Sequence, residues 1–242
     1  MQRSIFGILI FMWASICIGG NITYQVEGKP YEGYFVLAKA AAPLILLIHD
    51  WDGLTQYEKK RAHMLEKLGY SVFAADLFGK GNRPTLVKDK KQHTGELYKD
   101  RRKMRALMEA AIAVARKNGA QGKKVVAMGY CFGGAAVLEL ARSGANLAGF
   151  ASFHGGLKTP AKQSYAKARG RIMVFHGSAD TNITMQDFAN LTSELEEHKV
   201  SHELITYSGA PHAFTVFGSD RYRKEADQKS WKRFTQFLQE EV

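Results

Sequence analysis

The run Leu44-Ile45-Leu46-Leu47-Ile48 carries no polar residue on either side of its period-two repeat. A strand with one wet face alternates apolar and polar residues, so a strand apolar on both sides needs other elements packed on both faces of its sheet. Similar buried strands read at Ser71–Ala75, Lys123–Met128, Leu147–Phe153 and Arg171–Phe175. Helical stretches lie between them. Tyr57–Leu68 stops at Gly69, where a glycine can end a helix. Leu97–Lys117 reads as one long helix, with the stripe Met104, Leu107, Met108, Ala111, Val114 and Ala115 near the 3.6 period. Ala135–Arg142 and Met185–His198 are further helices, His202–Tyr207 is a last strand, and Arg223–Gln239 closes the chain with Trp231, Phe234, Phe237 and Leu238 on its apolar face.

Strands that alternate with helices predict an α/β chain with a mostly parallel central sheet and helices on both faces. An N-terminal β-hairpin precedes it, Ile22–Val26 and Tyr31–Leu37 alternating around Glu27-Gly28-Lys29-Pro30. Two connections, Phe78–Glu96 and His154–Gly170, read as long loops rich in Lys, Gly and Pro, and long loops in a compact domain often carry function. In such a sheet the ligand lies at the C-terminal ends of the strands.

The first residues read separately. Met1-Gln2-Arg3 is followed by an apolar run from Ile5 to Ile18 and then Gly19-Gly20. This is the order of a secretory signal, too short to span a bilayer comfortably. The expected organisation is a leader at 1–19 and one domain at 20–242, exported to a periplasm or secreted, with an uncleaved anchor as the alternative. Removal of the leader takes away Cys17 and leaves Cys131 as the single thiol. With only two cysteines in the full chain a disulfide scaffold is excluded, and 45% hydrophobic with 24% charged residues excludes a disordered chain. The net charge of +11 is dispersed among acids without a basic tail, so it demands no nucleic-acid partner.

The chemistry-bearing residues sit after strands. Gly129-Tyr130-Cys131-Phe132-Gly133-Gly134 joins a buried strand to a helix, in the pattern of a nucleophile elbow with Cys for Ser. Such a turn excludes side chains two residues either side of the nucleophile, which Gly129 and Gly133 satisfy. The helix N-terminus favours a thiolate at Cys131, and the Phe132 N–H can donate to an oxyanion. Asp180 follows the strand ending His176-Gly177, and His212 follows the last strand. The order nucleophile, acid, base is that of α/β hydrolases. His63, His93 and His198 read as surface groups, while His49, His154 and His176 end strands and read as structural. No phosphate-binding loop, zinc helix or cysteine pair is present, so no cofactor and no metal is expected.

The sequence resembles the dienelactone hydrolase family of the α/β-hydrolase fold, from Tyr31 to Leu238. The resemblance is carried by Leu47-Ile48-His49-Asp50-Trp51-Asp52-Gly53-Leu54, Ala75-Asp76-Leu77-Phe78-Gly79, the segment around Cys131, His176-Gly177-Ser178-Ala179-Asp180 and Pro211-His212-Ala213-Phe214. It implies a catalytic Cys131–His212–Asp180 triad, carboxymethylenebutenolidase-like ester hydrolysis, and an oxyanion hole from the backbone N–H groups of Phe132 and Trp51. Asp50 stands where the family often has a Glu that contacts the resting thiol. Val216 stands where dienelactone enzymes place a substrate-binding arginine, and Arg83, Arg221 or Arg223 are the available substitutes.

The expectation is a monomeric hydrolase that cleaves a small ester or lactone through a covalent acyl-enzyme, without stable membrane association once the leader is removed. An exported carboxylesterase or thioesterase for another substrate shares all these residues. A non-catalytic binding module on the same fold is the reading from a different class.

Overall fold

The computed structural model describes residues 19–242. The expected leader lies almost wholly outside the described residues. Among these residues no helix is long and apolar enough to cross a membrane.

Eight strands form one sheet. In chain order they are β1 (Gly20–Val26), β2 (Lys29–Val36), β3 (Leu44–Ile48), β4 (Ser71–Ala75), β5 (Val125–Tyr130), β6 (Gly149–Phe153), β7 (Arg171–Gly177) and β8 (His202–Tyr207). Their order across the sheet is β1-β2-β4-β3-β5-β6-β7-β8. The hairpin β1–β2 is antiparallel and joins β4 antiparallel, and all other pairs are parallel. The α/β architecture, the mostly parallel sheet and the N-terminal hairpin are as the residue pattern predicts.

The apolar runs are covered on both sides. Leu44, Leu46 and Ile48 of β3 pack into one core layer, Ile45 and Leu47 into the other, and all five are buried. The first layer holds α3 (Arg101–Lys117) and α4 (Phe132–Arg142) with part of α5 (Met185–Glu197). The second holds α1 (Gln56–Glu66) and α6 (Lys224–Glu241). Phe150, Phe153, Phe175, Phe234 and Phe237 are each buried to within about a hundredth of their surface.

Three expectations are corrected. The connection Phe78–Glu96 is no open loop, because its second half enters α2 (Val87–Lys99). Its Lys-rich sequence hides the helix, since Leu97 is the one residue of α2 that is buried. The single helix predicted over 97–117 is in fact two. Asp100 leaves helical backbone at ψ 76°, and its carboxylate accepts the Lys103 N–H, which caps α3. Finally, β5 runs on to Tyr130 and α4 begins at Phe132, so the turn between them is Cys131 alone. The loop at 154–170 does carry no helix or strand.

Chain order reverses between β3 and β5. After β3 the chain steps outward to β4, then returns to β5 on the other side. The carboxyl ends of these neighbours open a crevice there, as parallel sheets do at a switch of direction. Asp50 and Trp51 follow β3, and Cys131 follows β5.

Candidate active site

Cys131 has φ 52° and ψ −112°, in the left-handed region that most side chains avoid. Such strain persists only where the surroundings enforce it. Here the enforcement is close packing of glycine backbone. A Cβ on Gly129 would lie 2.3 Å from the Gly133 carbonyl, and one on Gly133 would lie 2.4 Å from the Ile48 carbonyl oxygen. Both glycines therefore meet the need read from their spacing. The Cys131 N–H donates to the Phe153 carbonyl (3.0 Å), which pins the turn to β6.

The side chains predicted to act together are brought together. His212 Nε2 lies 3.1 Å from Cys131 Sγ, and His212 Nδ1 lies 2.7 Å from Asp180 Oδ2. Asp180 is held in turn: its Oδ1 accepts the N–H groups of Asn182 and Ile183, both at 2.9 Å. Burial disfavours the His212 cation, but the hydrogen bonds to Asp180 and Cys131 outweigh it and raise the imidazolium to about 10. Burial also pushes against ionised Asp180, yet the His212 hydrogen bond and the two N–H donors hold its carboxyl below the ordinary 3.8.

The loop that presents His212 is anchored from below. Phe214 is fully buried against Tyr207 and His154. The hydroxyl of Thr215 bonds both His154 Nε2 (2.8 Å) and Tyr57 OH (2.7 Å). The buried Arg61 guanidinium donates to the Thr215 carbonyl (2.9 Å) and pairs with Asp227, tying the loop to α1 and α6. His154 thus serves a structural bond, although to a side chain rather than to backbone. His49 matches the expected backbone role, with Nδ1 2.6 Å from the Asp50 carbonyl oxygen and Nε2 accepting the Leu77 N–H (3.1 Å). His63 is more engaged than a solvated surface group, bridging Tyr34 OH and Glu66.

Over Cys131 lies a cavity of about 320 Å³. Asp50, Trp51, Phe132 and His212 line it beside Cys131. Phe132 opens α4, so its N–H has no acceptor within the helix. Asp50 shares the cavity with Cys131, but its Oδ1 accepts the Asp52 N–H (2.8 Å), and among the described residues Cys131 Sγ bonds to His212. Burial, with the Glu58 carboxyl nearby, raises Asp50 to about 8. Glu58 is fully buried and accepts both the N–H and the hydroxyl of Thr55, so burial raises it while these bonds oppose the rise.

Of the three arginines offered as substitutes, Arg221 lines the cavity. Arg83 is turned away onto the Leu54 and Asn82 carbonyls and Asp76. Arg223 donates to the carbonyls of Asp220 and Tyr222. Sequence reasoning missed Thr94 and Tyr98, which α2 lowers into the cavity. Lys90 ion-pairs Asp52 and lies 5.3 Å over the Trp51 ring, and His93 stacks on Phe78, so α2 is fastened to the turns after β3 and β4. Thr94 and Tyr98 sit in a Lys- and Glu-rich segment without an apolar period, which carries no signal of the cavity they line. Among the described residues no group of three or more His, Cys, Asp or Glu side chains is placed to hold a metal ion.

The chain is similar to known proteins over most of its length. A probable 2-oxo-3-(5-oxofuran-2-ylidene)propanoate lactonase of Bradyrhizobium is 26% identical, over 93% of this chain and 92% of its own. A putative carboxymethylenebutenolidase of Saccharolobus solfataricus is 25% identical, over 90% and 97%. The crystal structure of a dienelactone hydrolase-like promiscuous phosphotriesterase from metagenomic libraries superposes with a TM-score of 0.84 at 27% identity, over 93% of this chain and 98% of the other. The dienelactone hydrolase family model matches residues 31–242. The chain belongs to the dienelactone hydrolase family and has its α/β-hydrolase fold.

Proposed function

We propose that this hydrolase cleaves a small ester or lactone with Cys131 as nucleophile, His212 as base and Asp180 as its orienting acid. The observation that carries the reading is the continuous chain from Asp180 Oδ2 through both His212 nitrogens to Cys131 Sγ, at 2.7 and 3.1 Å. A base within hydrogen-bond reach of the nucleophile and itself oriented by a third group is the arrangement covalent catalysis requires. The relatives named as a lactonase and a carboxymethylenebutenolidase support the bond type.

With the nucleophile's proton held on His212 Nε2, the sulfur attacks the ester carbonyl carbon. The carbonyl oxygen becomes an oxyanion, which the Phe132 and Trp51 N–H groups receive. The tetrahedral species collapses, the C–O bond breaks, and the imidazolium returns its proton to the leaving alkoxide. A water then gives a proton to His212 and attacks the thioester carbonyl, releasing a carboxylic acid and the thiol. Asp180 fixes the imidazole tautomer and stabilises the cation in both halves. Asp50, in the same cavity and raised to about 8, is mostly neutral at pH 7, so it does not repel the forming oxyanion.

Export is part of the same reading and rests on the charged and apolar order of residues 1–20. The test is hydrolysis of p-nitrophenyl acetate by the chain from residue 20, beside Cys131→Ala. A rate that falls at least a thousandfold in a variant of unchanged circular dichroism supports the nucleophile. Equal rates would sink it.

A further inference from the structure

Helix α2 meets the core through Leu97, its one buried residue, in the first core layer. At its start stand Leu86 and Val87, which are 66% and 53% exposed. Five large apolar side chains are exposed among the described residues, and four of them, Leu86, Val87, Tyr98 and Met185, belong to α2 and the start of α5. These are the elements that rim the cavity over Cys131. Tyr98 lines it, about 17 Å along α2 from Val87. Ile183 lines it too, two residues before Met185. Single exposed apolar side chains are ordinary, whereas a group gathered around one opening marks a contact surface.

The same rim is strongly basic. Between residues 86 and 105 the chain carries eight Lys and Arg side chains against three acids, which is nearly half of its net charge of +11. Lys88, Lys91 and Lys99 are exposed, on the side of α2 turned away from Leu97. Among the lysines of α2, Lys90 alone forms an ion pair, with Asp52. The acids are occupied. Asp100 caps α3, and Glu96 accepts the Gln92 amide. Behind them the buried Glu139 pairs with Arg101, Arg105 and Arg142, one carboxylate against three guanidiniums. Arg101 lies 5.3 Å over the Tyr98 ring, which brings this charge to the rim. Lys158, 83% exposed, stands beside the start of α5, 3.7 Å from Asp187.

We propose that this rim, with α2 as its main element, is an adsorption surface for a lipid bilayer with anionic headgroups. Lys88, Lys91 and Lys99 meet the headgroup phosphates, and Leu86 and Val87 enter the acyl boundary. An apolar signal joined to a basic one is the combination that peripheral binding needs. Nucleic acid is the other polyanion of suitable sign, but the aliphatic Leu86 and Val87 offer bases no ring to stack on. The contact is peripheral and reversed by salt, unlike that of a spanning helix. It does not depend on the hydrolase reading. Joined to that reading, it turns the mouth over Cys131 toward the bilayer, so that esters held in the lipid surface reach the thiol directly.

The test uses the chain from residue 20, which holds all eight strands and lacks the apolar run at 5–18. It is floated with vesicles of phosphatidylcholine alone or mixed equally with phosphatidylglycerol. Partitioning at low salt should be at least tenfold stronger onto the anionic vesicles and should fall as sodium chloride is added. Lys88→Gln with Lys91→Gln should weaken it about twentyfold, at roughly fivefold for each lysine. Leu86→Ser should weaken it about fivefold, and serine is favoured at this cap position of α2, so folding is not at issue. Lys224→Gln with Lys232→Gln removes equal charge from α6, which packs on the other face of the sheet, and should change binding less than twofold. Absence of a preference for anionic vesicles overturns the surface, as does an equal loss in both lysine pairs, which would reduce the effect to net charge. Binding that follows Lys88 and Lys91 but ignores Leu86→Ser, and that a DNA duplex matches at the same salt, overturns the lipid assignment. The readout is binding alone, so a failure of the hydrolase reading leaves the result standing.

Discussion

The ring of His154 stands edge-on to the ring of His212, with 5.4 Å between centroids and 66° between planes. His154 is fully buried, and burial together with the neighbouring His212 cation holds it well below its ordinary value. A neutral imidazole thus supports a charged one without competing for Asp180. Its own orientation is fixed by the Thr215 hydroxyl, three residues beyond His212.

That hydroxyl serves two buried partners at once. Thr215→Val keeps the shape but leaves His154 Nε2 and Tyr57 OH without their bond. The expected loss is about 1–3 kcal/mol of stability, read from the urea midpoint. The kcat should fall several-fold with KM little changed, because the loop that aims His212 loses an anchor.

Asp180 carries the orientation of His212 from the other side. Asp180→Asn preserves the size but can present an amide N–H where His212 Nδ1 needs an acceptor. A drop in kcat on the order of 10³–10⁴ is expected, with the fold retained. Pre-steady-state release of p-nitrophenolate would show the loss in the first, acylating half. A variant within tenfold of wild type would remove Asp180 from the mechanism.

The protonation of His212 links stability to alkaline pH. Its folded value, about 10, lies above the ordinary 6.5, so the folded chain keeps a proton that the unfolded chain gives up. The stabilisation is complete below about 6.5 and is lost as pH rises through 10. Asp180 has the opposite sign: held below 3.8, it stabilises above that value and loses this contribution as acid titrates it. The Tm of the wild type should therefore decline between pH 7 and pH 10. In His212→Gln that slope should flatten, and an equal slope in both chains would exclude the raised imidazolium.

Asp50 works against stability over a lower window. Its folded value of about 8 lies above the ordinary 3.8, so the folded state resists the ionisation that the unfolded chain accepts freely as pH climbs between the two. Asp50→Asn imitates the neutral carboxyl. It should raise the urea midpoint at pH 8, keep most of the activity at pH 6.5, and remove a pH–rate inflection near 8. A lower midpoint at pH 8 would count against a buried neutral Asp50.

The elbow has no space for a methyl group. Gly133→Ala would place Cβ 2.4 Å from the Ile48 oxygen and 2.5 Å from the His49 oxygen, both backbone atoms that cannot swing aside. A loss of about 1–3 kcal/mol is expected, with activity falling further because β3 also positions Trp51. Chemical denaturation and the acetate assay together would separate the two effects.

Much of this was legible along the chain. The five-residue apolar run of β3 implies cover on both faces wherever it sits, because neither side of its pleat tolerates water. Gly129 and Gly133 flank Cys131 in the register a one-residue elbow demands, and the order Cys131, Asp180, His212 already names the group. Helix α2 was not legible, since it buries Leu97 alone and takes its place from single contacts such as Lys90 on Trp51 and His93 on Phe78. The choice among Arg83, Arg221 and Arg223 was equally closed to sequence, because it depends on which carbonyls each guanidinium can reach in space. Local periodicity and steric necessity act between near neighbours in the chain, and they determined the sheet, the elbow and which side chains stand as candidates at the strand ends. The distances from Cys131 to His212 to Asp180, the hidden Thr215 anchor and the gathering of Arg101, Arg105 and Arg142 on Glu139 join residues dozens of positions apart. Only the packing of helices on the finished sheet decides those.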